Sequence, residues 1–119
     1  MQRPLRLRRS ADFARLRESG RAWRHPLFTL SVAPNGLTNN RYGFIISKHV
    51  GNAVVRNLIR RRLREALRLR DSHLLSGYDL VIIARNAIAD QSYTMISAAL
   101  DEMLSRARLV KPESQKSVE

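Results

Sequence analysis

The segment from Lys48 to Arg70, KHVGNAVVRNLIRRRLREALRLR, leaves this chain few ways to fold. It opens on a polar turn and continues as a helical pattern with seven arginines in the fifteen residues from 56 to 70. At 100° per residue, Val55, Ile59, Leu63 and Ala66 share one sector, while Asn57, Arg60, Arg61, Arg64 and Arg68 share a sector on the other side. One stripe has to be covered by a core and the other has to stay out of it. Crowded arginines do not serve the helix itself. The i,i+4 pairs Arg60 with Arg64 and Arg64 with Arg68 each cost about 0.2–0.5 kcal/mol, with only Glu65 to offset them. A bound polyanion removes that cost. A solvated charged face is the alternative, but such faces ordinarily mix signs.

The charge of the whole chain points the same way. The net charge is +12 over 119 residues, and it is unevenly spread: residues 1–70 carry 17 Lys and Arg against 3 Asp and Glu, residues 71–119 carry 5 against 7. Only Lys48, Lys111 and Lys116 are lysines, and the planar guanidinium of arginine grips phosphate with two prongs and stacks on bases. RNA or DNA is therefore the leading partner. A membrane surface would attract the same charge, but the apolar face of the 53–69 helix has no Trp or Phe and is needed for a core. No apolar run reaches the roughly 18 residues that span a bilayer, and no apolar signal core follows Met1, so the chain reads as soluble. The absence of cysteine excludes disulfides and thiolate metal sites and suits a reducing cytosol. The length suits a single domain, 1–119, that buries a modest core without staples.

The remaining segments supply the surface that the arginine helix needs. Residues 1–9 form a basic arm, and Ser10 caps a short helix over 11–19 with Phe13 and Leu16 on one side and Gly20 as a left-handed end. From Trp23 to Val32 the period becomes two, with Phe28, Leu30 and Val32 facing a core and Thr29 and Ser31 facing away; Pro26 suggests an edge or a strand start. After the loop APNGLTNN, Arg41 to Ser47 is a second strand with Tyr42, Phe44 and Ile46 on its core face, expected to pair antiparallel with the first. YDLVIIAR, 78–85, is a strand of the kind buried on both faces. Ser92 caps a last helix in which Ile96, Leu100, Met103, Leu104 and Ala107 recur at helical spacing, and residues 110–119 read as a disordered polar tail. The order α-β-β-α-β-α predicts an α+β two-layer sandwich, and general physics makes its βαβ crossover right-handed.

The string SKHVGNAVVRNLIRRRLREALR resembles the signature of the bacterial ribonuclease P protein subunit family, matching it at Lys48, Gly51, Asn52, Ala53, Arg56, Asn57, Arg60, Arg61 and Arg64. Asp12 and Phe13 before the first strand, and Ala84 and Arg85 at the end of the third, give weaker support. Two departures stand out. Leu58 takes the third place of the family's Arg-Asn-Arg triplet, a contact either lost or taken over by Arg62, and Arg17 and Ser31 stand where members often carry aromatics. The resemblance implies a fold like the second domain of ribosomal protein S5, with a left-handed crossover around the arginine helix. It also implies a cytoplasmic role beside a large catalytic RNA in the endonuclease that removes the 5′ leader from precursor tRNA. The RNA and its Mg²⁺ perform the hydrolysis. The protein, a monomer within the ribonucleoprotein, acts as a clamp with no part for DNA or membrane.

The resemblance implies two surfaces. Lys48, Arg56, Asn57, Arg60, Arg61, Arg64 and Arg68 meet the catalytic RNA, and a cleft lined by Phe13, Arg17, Thr29, Ser31 and Ser47 holds the leader. The residues themselves allow this. Lys48 and Arg56 stand at a helix entrance, where amides and dipole favour phosphate. Thr29, Ser31, Gly43 and Ser47 leave a sheet face of small and polar groups. Phe13 reads equally as a base-stacking ring or as a core residue. Gly51 and Asn52 suit turn geometry and capping. No protein-borne active site is indicated: His25, His49 and His73 are scattered, read as surface residues, and lack a metal-ligand spacing, and Glu65 reads as an intrahelical partner. The alternative function is a ribosomal-protein-like or assembly module that holds structured RNA without taking part in turnover.

Overall fold

The computed structural model describes residue 16 and residues 20–112. Four strands, β1 (Arg21–Arg24), β2 (Phe28–Pro34), β3 (Arg41–Ile45) and β4 (Tyr78–Ala84), form one sheet in the order β1-β2-β4-β3. Helix α1 (Ala53–Arg70) links β3 to β4, and helix α2 (Tyr93–Arg106) follows β4. The α+β class and the parallel β3-α1-β4 unit agree with the sequence reading. The basic arm, Phe13 and Arg17 lie outside the described residues, as does the tail from 113; Leu16 is helical and buried.

The single strand expected from Trp23 to Val32 is in fact a hairpin. At the turn, Pro26 has no amide to donate, the Leu27 N–H donates to His25 Nδ1 at 3.0 Å, and the His25 N–H donates to the Phe28 carbonyl at 3.0 Å. His25 is thereby partly buried, its ring stacked on Phe28 with centroids 5.5 Å apart, so it is no surface histidine. The expected antiparallel pairing of the second and third strands is also overturned. β4 lies between them, antiparallel to β2 and parallel to β3. The reason is apolar content. Leu80, Val81 and Ile82 are all buried, and only a central strand has neighbours and cover enough to bury consecutive residues.

Both helices pack on one face of this sheet. Ile59, Leu63, Ala66 and Leu67 of α1 and Ile96, Leu100, Met103 and Leu104 of α2 meet Phe28, Leu30, Val32, Tyr42, Leu80 and Ile82 in one core. Fully burying each large aliphatic side chain contributes about 1.5–3 kcal/mol, so the apolar stripe holds α1 to the sheet. On the other face Leu16 packs with Ala33 and Val81. Gly20 is not left-handed as expected. It is needed because a Cβ there would lie 2.4 Å from the Leu16 carbonyl oxygen. Residues 110 and 111 are not disordered: Val110 bridges Leu74, and the Lys111 N–H donates to the His73 carbonyl at 2.9 Å.

Candidate nucleic-acid interface

Helix α1 begins as its sequence dictates. Asn52 is the N-cap, its side-chain oxygen accepting from the Val55 N–H at 3.0 Å, and a Cβ on Gly51 would lie 2.8 Å from the Val55 side chain. Lys48 and His49 are exposed on the turn just before the helix, and no acidic residue occupies the first turn to neutralise its positive end.

The structure sorts the arginines into two groups. Arg62 donates to the Gln91 carbonyl at 2.6 Å, so it ties α1 to the segment before α2. Arg70 grips Asp101 with Nε and Nη2 at 2.7 and 3.0 Å and donates to Ser97 Oγ at 2.5 Å, joining the two helices. Arg68 is forked onto Glu65 at 3.0 and 2.5 Å, which holds the Glu65 carboxyl below its usual range and confirms the intrahelical reading of that residue. Arg56 is half-buried, its Nε donating to the Gly51 carbonyl at 3.2 Å. Arg60, Arg61 and Arg64 line a shallow depression together with Asn57, Val54 and Leu58. Arg60 and Arg64 are half-buried, so the stripe is less exposed than the helical wheel suggests; Asn57 and Arg61 are exposed. Arg60 Nη1 donates to Asn57 Oδ1 at 3.2 Å. Such a surface offers guanidinium forks to phosphates and, through Val54 at 76% exposure, an apolar contact for a sugar or base.

The outer face of the sheet differs from the expected run of small and polar groups. Thr29 and Ser31 do point there and are half-buried, but their cross-strand neighbours are Ile83 and Val81 of β4, with Ile45 and Gly43 beyond. Ile45 and Ile83 are 43% and 36% exposed, an apolar patch beside Thr29 that the sequence reading missed by assigning the wrong neighbour strand. Ser47 lies past the end of β3, exposed on the turn into α1.

Two buried polar clusters also escaped sequence reading. Asp79, fully buried, accepts from Arg41 Nε and Nη2 at 2.9 Å each and from Asn35 Nδ2 at 2.9 Å. Asn40 accepts from the Tyr78 N–H at 2.8 Å and donates to the Leu75 carbonyl at 2.8 Å. The Tyr42 hydroxyl donates to Asp71 at the end of α1; burial first, and then this bond, push the phenol well above its ordinary value. These groups lie 35 to 44 residues apart, or 29 for Tyr42 and Asp71, so only the shuffled strand order could have revealed them. Among the described residues no three His, Asp or Glu side chains converge on a point that could hold a metal, and no helix is long and apolar enough to cross a membrane.

Comparison with known proteins identifies the family. The family model described as Ribonuclease P matches residues 1–108. The ribonuclease P protein component of Herpetosiphon aurantiacus is 40% identical over 119 residues, covering 100% of this chain and 97% of that protein. That of Roseiflexus castenholzii is 42% identical over 112 residues, covering 93% and 92%. Among solved structures, the RNase P protein of Staphylococcus aureus matches with a TM-score of 0.84 at 31% identity over 90% of this chain and 98% of that one. The RNase P protein of Thermotoga maritima matches with a TM-score of 0.78 at 26% identity over 85% and 96%. The sheet and both packed helices, the arginine helix among them, thus stand in one continuous match, and the chain belongs to the ribonuclease P protein family.

Proposed function

We propose that this chain is the protein subunit of a cytoplasmic ribonuclease P ribonucleoprotein, a monomer that binds the catalytic RNA and the 5′ leader of precursor tRNA and so assists removal of that leader. The observation that carries this reading is the depression lined by Asn57, Arg60, Arg61 and Arg64, a cluster of three guanidiniums on the arginine helix separate from Arg62 and Arg70, which tie that helix to the rest of the fold. In this reading these four residues meet RNA phosphates, with Lys48 and Arg56 adding charge at the helix entrance and Arg68 contributing less, because Glu65 already holds it. The leader lies across the outer sheet face by Thr29, Ser31 and Ser47, where Ile45 and Ile83 offer apolar surface to bases; Phe13 and Arg17 belong to the same cleft in the resemblance.

The chemistry belongs to the RNA and the Mg²⁺ it holds, and the protein supplies no catalytic residue. What it contributes is electrostatic and positional. Two RNA strands repel each other, and guanidiniums between them replace part of the Mg²⁺ that would otherwise screen the repulsion. Holding the leader also fixes the scissile bond against the catalytic RNA. The test is cleavage of a leader-bearing precursor tRNA by bacterial ribonuclease P RNA at low Mg²⁺. Stimulation is expected only when protein and RNA are combined. Tight RNA binding without stimulation would instead assign the chain to a ribosomal-protein-like or assembly module.

A further inference from the structure

A second concave surface lies where β1, at the edge of the sheet, meets the carboxyl end of α2. Arg21, Trp23, Tyr78, Arg106 and Arg108 line it, and it shares no residue with the depression on α1. Strand register puts it on the helix-covered side of the sheet. Arg21 pairs with Val32 and Trp23 with Leu30, both of the main core, whereas Thr29 and Ser31 alternate to the opposite side. Three guanidiniums and two aromatic rings therefore converge away from both surfaces already assigned to RNA.

The end of α2 gives an independent reason to look here. The Arg108 N–H donates to the Ser105 carbonyl at 3.0 Å and the Leu109 N–H to the Leu104 carbonyl at 3.1 Å, which turns the chain so that Arg108 has φ 57°. It is the one non-glycine residue with positive φ among the described residues, while glycine takes the two other such positions, 36 and 77. Glycine is favoured at this place after a helix because a Cβ crowds the backbone there. Helix-end electrostatics account for Arg106, which meets the negative end of α2 and lies 3.8 Å from Glu102. They do not account for an arginine in left-handed backbone, because Arg106 already supplies the charge. Strain kept at a surface pocket points to a ligand.

We propose that this pocket receives one unpaired nucleotide of an RNA strand, with Arg108 and Arg21 on its phosphate and the ring of Trp23 stacked on its base. Guanidinium forks match phosphate, and an aromatic ring accepts any base on its face. An acidic peptide would satisfy the guanidiniums but leave the rings without a planar partner. The proposal rests on the RNA-binding reading above and adds a third RNA contact to it.

Trp23 is the only tryptophan of the chain, so its emission reports directly on this pocket. The full-length protein is titrated with a short unstructured oligoribonucleotide, with the corresponding mononucleotide and with polyglutamate. Saturable quenching by the oligoribonucleotide is expected. Arg108→Gly is expected to weaken it about tenfold, the loss of one charged hydrogen-bonding contact, while the melting temperature stays level or rises. If Arg108→Gly melts early, Arg21→Ala, on the exposed edge strand, reads the same phosphate contact. Three results would overturn the proposal: no quenching in the wild-type protein, quenching unchanged in both variants, or a response to polyglutamate or to the mononucleotide as strong as that to the strand. Quenching that survives while cleavage is not stimulated would refute the subunit reading and spare the pocket. The reverse would refute the pocket alone.

Discussion

Replacing Arg60 and Arg61 together by alanine is expected to separate RNA binding from folding. Arg61 is exposed, and Arg60 donates to Asn57 on the same outer surface, so neither side chain anchors the core beneath Ile59 and Leu63. Removing Arg60 relieves its repulsion with Arg64 by about 0.2–0.5 kcal/mol, and alanine is the better helix former, so stability holds or rises slightly. Each charged hydrogen-bonding contact is worth about 1.5–3 kcal/mol. Taking the lower figure for these solvent-facing groups, the pair loses about 3 kcal/mol of RNA affinity, roughly a hundredfold in Kd. Salt dependence gives a second reading. Two phosphates no longer neutralised lower the slope of log affinity against log salt by about 1.4–1.8. The assay is equilibrium binding to ribonuclease P RNA over a salt series, with thermal melts of the free protein alongside. An unchanged slope, or a melting temperature that falls in step with affinity, would refute the assignment of these arginines to a phosphate surface.

Other perturbations test the parts of the fold that hold this surface in place. Asp79→Ala removes a fully buried carboxylate that accepts from Arg41 and Asn35, so denaturant unfolding is expected to show a loss of about 3–5 kcal/mol; a loss under about 1 kcal/mol would contradict the buried network. Tyr42 has a folded-state pKa raised by burial and by Asp71, so above the ordinary phenol value the unfolded chain releases a proton that the folded one keeps. Its contribution is complete below about pH 10 and falls by up to about 1.4 kcal/mol per pH unit above it. The stability advantage of wild type over Tyr42→Phe is therefore expected to shrink as pH rises past about 10, and an advantage independent of pH would refute the Tyr42–Asp71 account.

What could be read from the chain alone is what local periodicity and local chemistry control. The bounds of α1, its Asn52 cap, its apolar stripe through Ile59, Leu63 and Ala66, the Ser92 cap of α2 and the inward Tyr42, Phe44 and Ile46 all follow from neighbours within a turn or two. The family resemblance in Lys48 to Arg64 was legible for the same reason, being one contiguous string. Gly20 and the His25-Pro26 turn carried signals too, and were misread because a close approach or a tight hairpin shows only once the facing backbone is in place.

The tertiary structure decided the order of the strands and the sorting of the arginines. Alternation tells which residues share a face but not which strand lies alongside, so the insertion of β4 between β2 and β3, and with it the apolar patch of Ile45 and Ile83, was beyond local pattern. All seven arginines from 56 to 70 are alike as letters. Arg62 became an anchor to Gln91 and Arg70 an anchor to Asp101 because packing brought partners 29 and 31 residues away within hydrogen-bond reach. A charge is committed to the fold or offered to a ligand according to what the folded chain sets beside it, and that neighbour is a property of the assembled core.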